Sequence, residues 1–444
     1  MTEGTNTQWV AATRKIIFRA VALILGMGMV LAANAQAEQE ATPIPPSWKT
    51  PQNPNGTEAF YGVHQSGIAT PPQHHVYFAV FDLTTTKRED VIALLKAWTK
   101  AAERMSRGET AQPLEGGLQL AVPPVRKPVV NGAEEDDSYV DPSTRVADTG
   151  ETTGMSSARL TVTFGFGADF FMKDGKDRYG LAAKRPAELV DMPVFPGDQI
   201  AAEHSGGALS IQACAEDPQV AFHAVRQLAR IATGVAKLRW VQTGYRPSSG
   251  ERHLLGFSDG IGNPNVDDQL EMNRSIWVGE NGPDWMRGGT YMIVRRIRFA
   301  LEHWDEMPQS YQEAALGRDK HPGQQIPKTQ VDTSISDENE KTHFHLVLPK
   351  STFMLRRSYS YNNGVDFTVE RWPPWRQGLE YNVGMLFICY QNNPSTAFID
   401  MYGKMSRYDI KLNQFWTHEA GGIFAYPHGT KEGEYVGQQL FESR

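Results

Sequence analysis

Three stretches of the chain carry side chains with the means to do chemistry. His343-Phe344-His345-Leu346-Val347-Leu348 reads as a strand with both histidines on one face and Phe344, Leu346 and Leu348 on the other. Imidazoles so placed could ligate a metal. Satisfied polar residues give the same pattern, and His-x-His is also a zinc-enzyme spacing, so the motif names no metal. Arg356 and Arg357 are adjacent; in a strand they face opposite sides, and at most one can enter a given pocket. A solvated surface pair is the plain alternative. Gly256-Phe257-Ser258-Asp259-Gly260-Ile261-Gly262-Asn263-Pro264 is a glycine-dense loop presenting one carboxylate. No Gly-Lys-Ser/Thr follows it, so it is not a phosphate-cradling loop, and Asp-Gly is also ordinary turn chemistry. The sequence contains no His-Glu-x-x-His or Ca²⁺-loop pattern.

The elements that must position these groups follow from periodicity. Val76–Leu83 reads as a buried strand. Ile92, Leu95, Trp98, Ala102 and Met105 recur at helical spacing within 89–105. Leu160, Val162 and Phe164 alternate with Thr161 and Thr163, which predicts a strand exposed on one face, and Leu209, Ile211 and Ala213 make another. Asp217-Pro218 supplies an N-cap and a first-turn proline for a helix running to Gly234, and a strand follows at Leu238–Thr243. The order is β-α-β-β-α-β, the ferredoxin-like unit. It repeats beyond a Gly/Pro-rich junction at 244–283: strand Tyr291–Ile297, helix Phe299–Leu316 interrupted at Pro308, strands Phe344–Leu348 and Met385–Tyr390, a helical stretch within 395–416, and strand Ile423–Tyr426. The fold class is therefore α+β, two ferredoxin-like halves with two antiparallel sheets, and a cavity is expected between sheet and helices.

The remaining segments bound the domains. Arg14, Lys15 and Arg19 precede an uncharged stretch, Ala20–Ala33, and a small-x-small site ends at Ala37, so residues 1–37 read as a signal peptide. Thr13-Arg14-Lys15-Ile16-Ile17-Phe18 resembles a twin-arginine signal with its second arginine replaced. Residues 38–73 read as an exposed, Pro-rich lead-in, 74–245 as the first ferredoxin-like domain with 107–157 as a surface insertion, and 246–444 as the second. The whole chain of 444 residues has 44 basic and 51 acidic residues; without residues 1–37 it has 41 and 50. With no basic surplus, nucleic acid is a poor partner. Cys214 and Cys389, the only cysteines, sit in apolar runs and read as buried thiols rather than a disulfide framework.

Taken together, the motifs resemble the dye-decolourising peroxidase family, in its exported deferrochelatase/peroxidase branch. The resemblance runs from about Pro71 to Tyr426 on LTVTFGFG (160–167), DPQVAFHAVRQLAR (217–230), LLGFSDGIGNP (254–264), RGGTYMIVRRIR (287–298), LGRDK (316–320), LRRSYSY (355–361) and GMLFICYQ (384–391). It implies a dimeric α/β-barrel-type haem peroxidase holding haem b between a proximal histidine and a distal Asp/Arg pair. His343 matches the proximal position, with His345 as second choice for the iron ligand; Asp259 and Arg356 match the distal pair, and Leu386 and Phe387 the apolar lining. Asp259 would shuttle a proton between the peroxide oxygens, and Arg356 would stabilise charge on the departing one. Asn382 stands where relatives carry an aspartate, which implies a less anionic proximal imidazole, with Glu380 as a substitute on the same face. The implied partners are hydrogen peroxide, an organic or ferrous reductant, a second copy of the chain and an iron-uptake permease, in the periplasm. Trp372, Trp375 and Trp416 are relay candidates, with packing the plainer role. A haem carrier without turnover and a non-haem metal enzyme using His343 and His345 are the rival readings.

Overall fold

In the computed structural model, the described residues are 53–123, 141–247, 252–259, 262–321, 343, 346–347, 353–369 and 377–442. The first half comprises β1 (His75–Leu83), α1 (Arg88–Ser106), β2 (Thr161–Gly167), β3 (Leu209–Ala215), α2 (Pro218–Ile231) and β4 (Ala236–Tyr245). In the second half, β5 (Thr290–Phe299) is followed by a short helix, Leu301–Asp305, and by α3 (Gln309–Leu316), broken apart at Pro308 as a proline without an N–H requires. Then come β6 (Leu355–Arg356), β7 (Tyr359–Val369), β8 (Gln377–Gln391), α4 (Asp400–Tyr408) and β9 (Trp416–Tyr426).

Each half has the ferredoxin-like strand order: β4-β1-β3-β2 in the first, β9-β5-β8-β7 in the second. The two sheets are not separate, as the sequence suggested. β4 pairs with β7 through Tyr245↔Ser360, and β2 pairs with β9 through Phe166↔Ala425 and Gly167↔Phe424. β5 pairs with β8, so eight antiparallel strands close into one ring, with the two-residue β6 continuing the line of β7 along the same edge of β8. Joining the sheets end to end satisfies the edge N–H and C=O groups that two open sheets would expose.

Strand alternation then sorts the side chains. Phe78, Met292, Val294, Tyr359, Leu386, Ile388, Tyr390, Phe424 and Tyr426 share one buried cluster. Phe78 meets Phe424 at 6.1 Å, and the Tyr390 hydroxyl donates to Gln212 at 2.8 Å, although neither pair lies on neighbouring strands. These contacts cross the interior of the ring. The helices pack outside it. Trp98 of α1 stands edge-on to Phe81 and donates Nε1–H to the Leu228 carbonyl of α2 at 2.8 Å. The Asp217 cap is present, its carboxylate accepting from the Gln219 and Val220 amides at 2.7 and 3.3 Å.

Three local expectations are corrected. The strand placed at 344–348 is overturned at its described residues: Leu346 and Val347 are helical, as is His343, and the second strand of this half is β7. A short apolar alternation fits either periodicity, and packing decided it. β2 is buried on both faces rather than one, and the lead-in is not uniformly exposed: Gln65, Ile68 and Gln73 are buried. One observation explains both: the lead-in lies over the threonine face of β2, where Gln73 Nε2 donates to Thr161 Oγ1 at 3.2 Å and Thr163 Oγ1 donates to the Ser66 carbonyl at 2.6 Å. Among the described residues no helix is long and apolar enough to cross a membrane. The signal-peptide reading of 1–37 lies outside the described residues.

Candidate active site

A cavity whose empty volume, its open mouth included, is about 810 Å³ lies outside the ring, between the second half's sheet and its helices. β5 supplies Ile297 and Phe299, β8 supplies Met385 and Phe387, α4 supplies Met401, Tyr402 and Met405, and β9 supplies Trp416 and His418. Into this largely apolar space project His343, Asp259 and Arg356, together with His253 and Arg318.

His343 and Val347 are four residues apart on helical backbone, so both reach the cavity from one face. His343 Nδ1 lies 2.9 Å from Asp409 Oδ2. Asp409 follows the last residue of α4 and is 1 % exposed; burial pushes its carboxyl up, and the His343 hydrogen bond opposes that. With a carboxylate at Nδ1, the imidazole's Nε2 is its free ligating atom. Trp416 stands edge-on to the ring at 5.0 Å and is itself held by Asn413.

Asp259 and Arg356 come from the glycine-dense loop and from β6. The loop that carries Asp259 also orients Arg356, because Asn263 Oδ1 accepts from the Arg356 amide and from its Nε, at 3.0 and 3.1 Å, while Asn263 Nδ2 donates to the Arg356 carbonyl at 2.8 Å. Burial lowers the Arg356 pKa, with Asp259 opposing. Arg357 turns to the other side, fully buried, and donates to Thr70 and Gln73. Arg318 bonds the Ser258 carbonyl at 3.1 Å; burial and Arg356 bring its pKa down to about 10 while Asp259 resists. Gly317, at φ +72°, ends α3 and sets the turn between Leu316 and Arg318, a conformation glycine adopts without strain. Burial, with Arg318 adding to it, holds His253 neutral, its pKa lowered to about 4 against the pull of Asp259.

The other sequence candidates divide. Phe387 lines the cavity; Leu386 does not, because alternation points it into the ring interior. Asn382 is also elsewhere, accepting from Arg296 at 2.6 Å in a separate pocket with Gln199, Asp366 and Glu419. Glu380 faces Arg298. The partner of His343 is thus Asp409, not Asn382 or Glu380, and the weakened imidazole inferred from Asn382 is withdrawn. His345, Trp372 and Trp375 lie outside the described residues. Sequence reasoning missed Asp409, Arg318, His253 and Asn263. Arg318 and Asn263 stand inside the motifs LGRDK and GFSDGIGNP, whereas Asp409 follows a helix with no motif around it.

The donor set fits a haem. Apolar walls suit a porphyrin, and a partly buried imidazole with its second nitrogen occupied suits an iron. His418 Nδ1 accepts from Arg295 Nε at 3.1 Å, and its buried Nε2 has no hydrogen-bond partner among the described residues. Burial, reinforced by Arg295, keeps this ring neutral, so Nε2 carries a proton that a carboxylate could accept.

Comparison with known proteins agrees. Residues 65–246 match the family Dyp-type peroxidase, N-terminal, and 250–431 match Dyp-type peroxidase, C-terminal. The chain is 28% identical over 450 residues to a protein of Yersinia pestis named deferrochelatase, covering 95% of this chain and 94% of that one. Ferric DtpA from Streptomyces lividans superposes with a TM-score of 0.69 at 32% identity, over 88% of this chain and 99% of the other. A DyP-type peroxidase from Streptomyces coelicolor gives 0.70 at 33%, over 89% and 100%. With both family regions matched, and with His343, Asp259 and Arg356 lining one cavity, the chain belongs to the Dyp-type peroxidase family and is a haem-dependent peroxidase.

Proposed function

We propose that haem b occupies this cavity with His343 as its axial ligand, Asp259 and Arg356 facing the peroxide, and Phe387 closing the apolar wall. The single observation that supports the assignment is the convergence of His343, Asp259 and Arg356 on one cavity. Bound haem supplies the iron redox chemistry that splits the peroxide O–O bond. The chain's own groups do the rest. Asp409 fixes the His343 tautomer, Asp259 carries a proton from one peroxide oxygen to the other, and Arg356, held by Asn263, steadies the charge that develops on the departing oxygen. The electrons come from bulky dye-like or phenolic reductants, or from ferrous iron. By likeness to the proteins named deferrochelatase, iron release from haem is part of the same reading. An exported, periplasmic enzyme acting as a homodimer beside an iron-uptake permease completes it.

Reconstitution tests the assignment. The purified chain titrated with haemin should give a Soret band and peroxide-dependent dye oxidation. His343→Ala should lose or loosen the haem, while Asp259→Asn should keep the band and lose turnover. A haem carrier would keep the band and never turn over. Iron release is tested separately, as metal-free porphyrin fluorescence appearing in the haem-loaded protein.

A further inference from the structure

A second cluster of ligating side chains lies in the first half. Asp148 and Glu151 stand on the loop leading toward β2, and His223 on α2. Asp148 Oδ2 is 3.3 Å from His223 Nε2, and Glu151 Oε1 is 3.0 Å from His223 Nδ1. One donor atom from each residue lies within 4.8 Å of the other two. The Asp148 and His223 side chains are 2% and 5% exposed. The Ala111 and Gly150 amides fix the Asp148 carboxylate at 3.1 and 2.8 Å. Both Glu151 oxygens are buried, and Oε1 faces His223 Nδ1 and Arg226 Nη1. A pocket lined by Asp148, His223, Thr152, Met155 and Ser157 opens beside the cluster.

We infer that Asp148, Glu151 and His223 form a binding site for a first-row divalent cation of the zinc type, independent of the haem cavity. Two carboxylate oxygens and one imidazole nitrogen make a mixed donor set. Such sets favour Zn²⁺ and its neighbours over Mg²⁺ and Ca²⁺, which take oxygen ligands. Three protein ligands leave at least one coordination position open, and the adjoining pocket gives water or an exogenous ligand access to it. Asp148 and Glu151 side by side need a compensating cation; in the metal-free chain the His223 ring serves, its pKa raised by the two acids against the effect of burial, and a bound metal ion would take its place as the ring gives up that proton. The nearby guanidiniums supply little of the compensation. Arg226 is 46% exposed and reaches only Glu151, at 3.3 Å, while Arg230 is engaged by Gln227 and by the Ala147 and Val146 carbonyls.

The test uses the haem-loaded protein, stripped with chelator, desalted and equilibrated with micromolar ZnCl₂, with bound zinc counted by mass spectrometry alongside haem iron. One zinc per chain is expected, unaffected by millimolar Mg²⁺. Affinity should fall about tenfold or more in Glu151→Gln and in His223→Gln. The Soret band and melting temperature of each variant are recorded in parallel. Glu151→Gln, at the most exposed ligand, decides the matter if His223→Gln fails to fold. No zinc on the wild type, or unchanged zinc on a folded Glu151→Gln, overturns the site and leaves the triad as a histidine clamped between two acids. Because zinc and haem are read separately, failure of one assignment does not imply failure of the other.

Discussion

His343 Nδ1 and Asp409 Oδ2 are 2.9 Å apart, which ties the imidazole to the residue that ends α4. The pairing sets a carboxyl group against the imidazole, and with His343 as the proposed haem ligand that neighbour would tune how strongly Nε2 donates. Asp409→Asn keeps an acceptor but removes the charge. The haem-loaded variant should fold, show a raised reduction potential by spectroelectrochemical titration, and react with peroxide about 10–100-fold more slowly. An unchanged potential would mean that the pair only holds the ring in place.

The two neighbouring arginines should fail in different ways. Arg356→Ala should leave melting temperature nearly unchanged and cut peroxide turnover about 10²–10³-fold, as loss of a preorganised charge does elsewhere. Arg357→Ala removes buried bonds to Thr70 and Gln73 and should cost about 3 kcal/mol in denaturant unfolding. Equal effects from both would contradict their opposite orientations.

Asn263 holds Arg356 through its amide, its Nε and its carbonyl, without lining the cavity itself. Asn263→Ala should lower kcat/KM for peroxide about tenfold, leaving the Soret band intact. In the Arg356→Ala background the same change should add little, because the group it positions is already gone.

How much of this was legible in the sequence depended on how far each signal reached. The two ferredoxin-like halves, the Asp217 cap and the break at Pro308 are local, and they stand on the chain as periodicity, capping and a missing N–H. The closure of the ring is not local: it rests on Tyr245 meeting Ser360 and Phe166 meeting Ala425, pairs that no window of sequence joins. Asp259, Arg356 and His343 carried motif signals. Asp409 meets a histidine 66 positions away, so spacing gives no hint of it. Leu386 and Asn382 misled for simpler reasons: on β8 a single step from Phe387 exchanges the cavity for the ring interior, and Asn382, three residues before Met385, lines a different pocket.

Acid should weaken the fold through His253. Its pKa falls from the usual 6.5 to about 4 in the folded chain, so between those values the unfolded chain binds more protons. Its contribution is complete above pH 6.5 and is lost as pH falls to about 4. His253→Gln has no such group. The wild type should therefore lose on the order of 2 kcal/mol more than the variant across that window, read by urea unfolding of the haem-free protein.

The last strand of the ring, β9, joins β5 to β2 and so links the end of the chain to its beginning. A ribosome must therefore release nearly the entire polypeptide before the staves can be hooped together. Assembly is a late event governed by contacts between remote parts of the chain, and such contacts form slowly. A stop codon before Trp416 would leave both halves with a raw border, and the truncated product would be prone to aggregate through it.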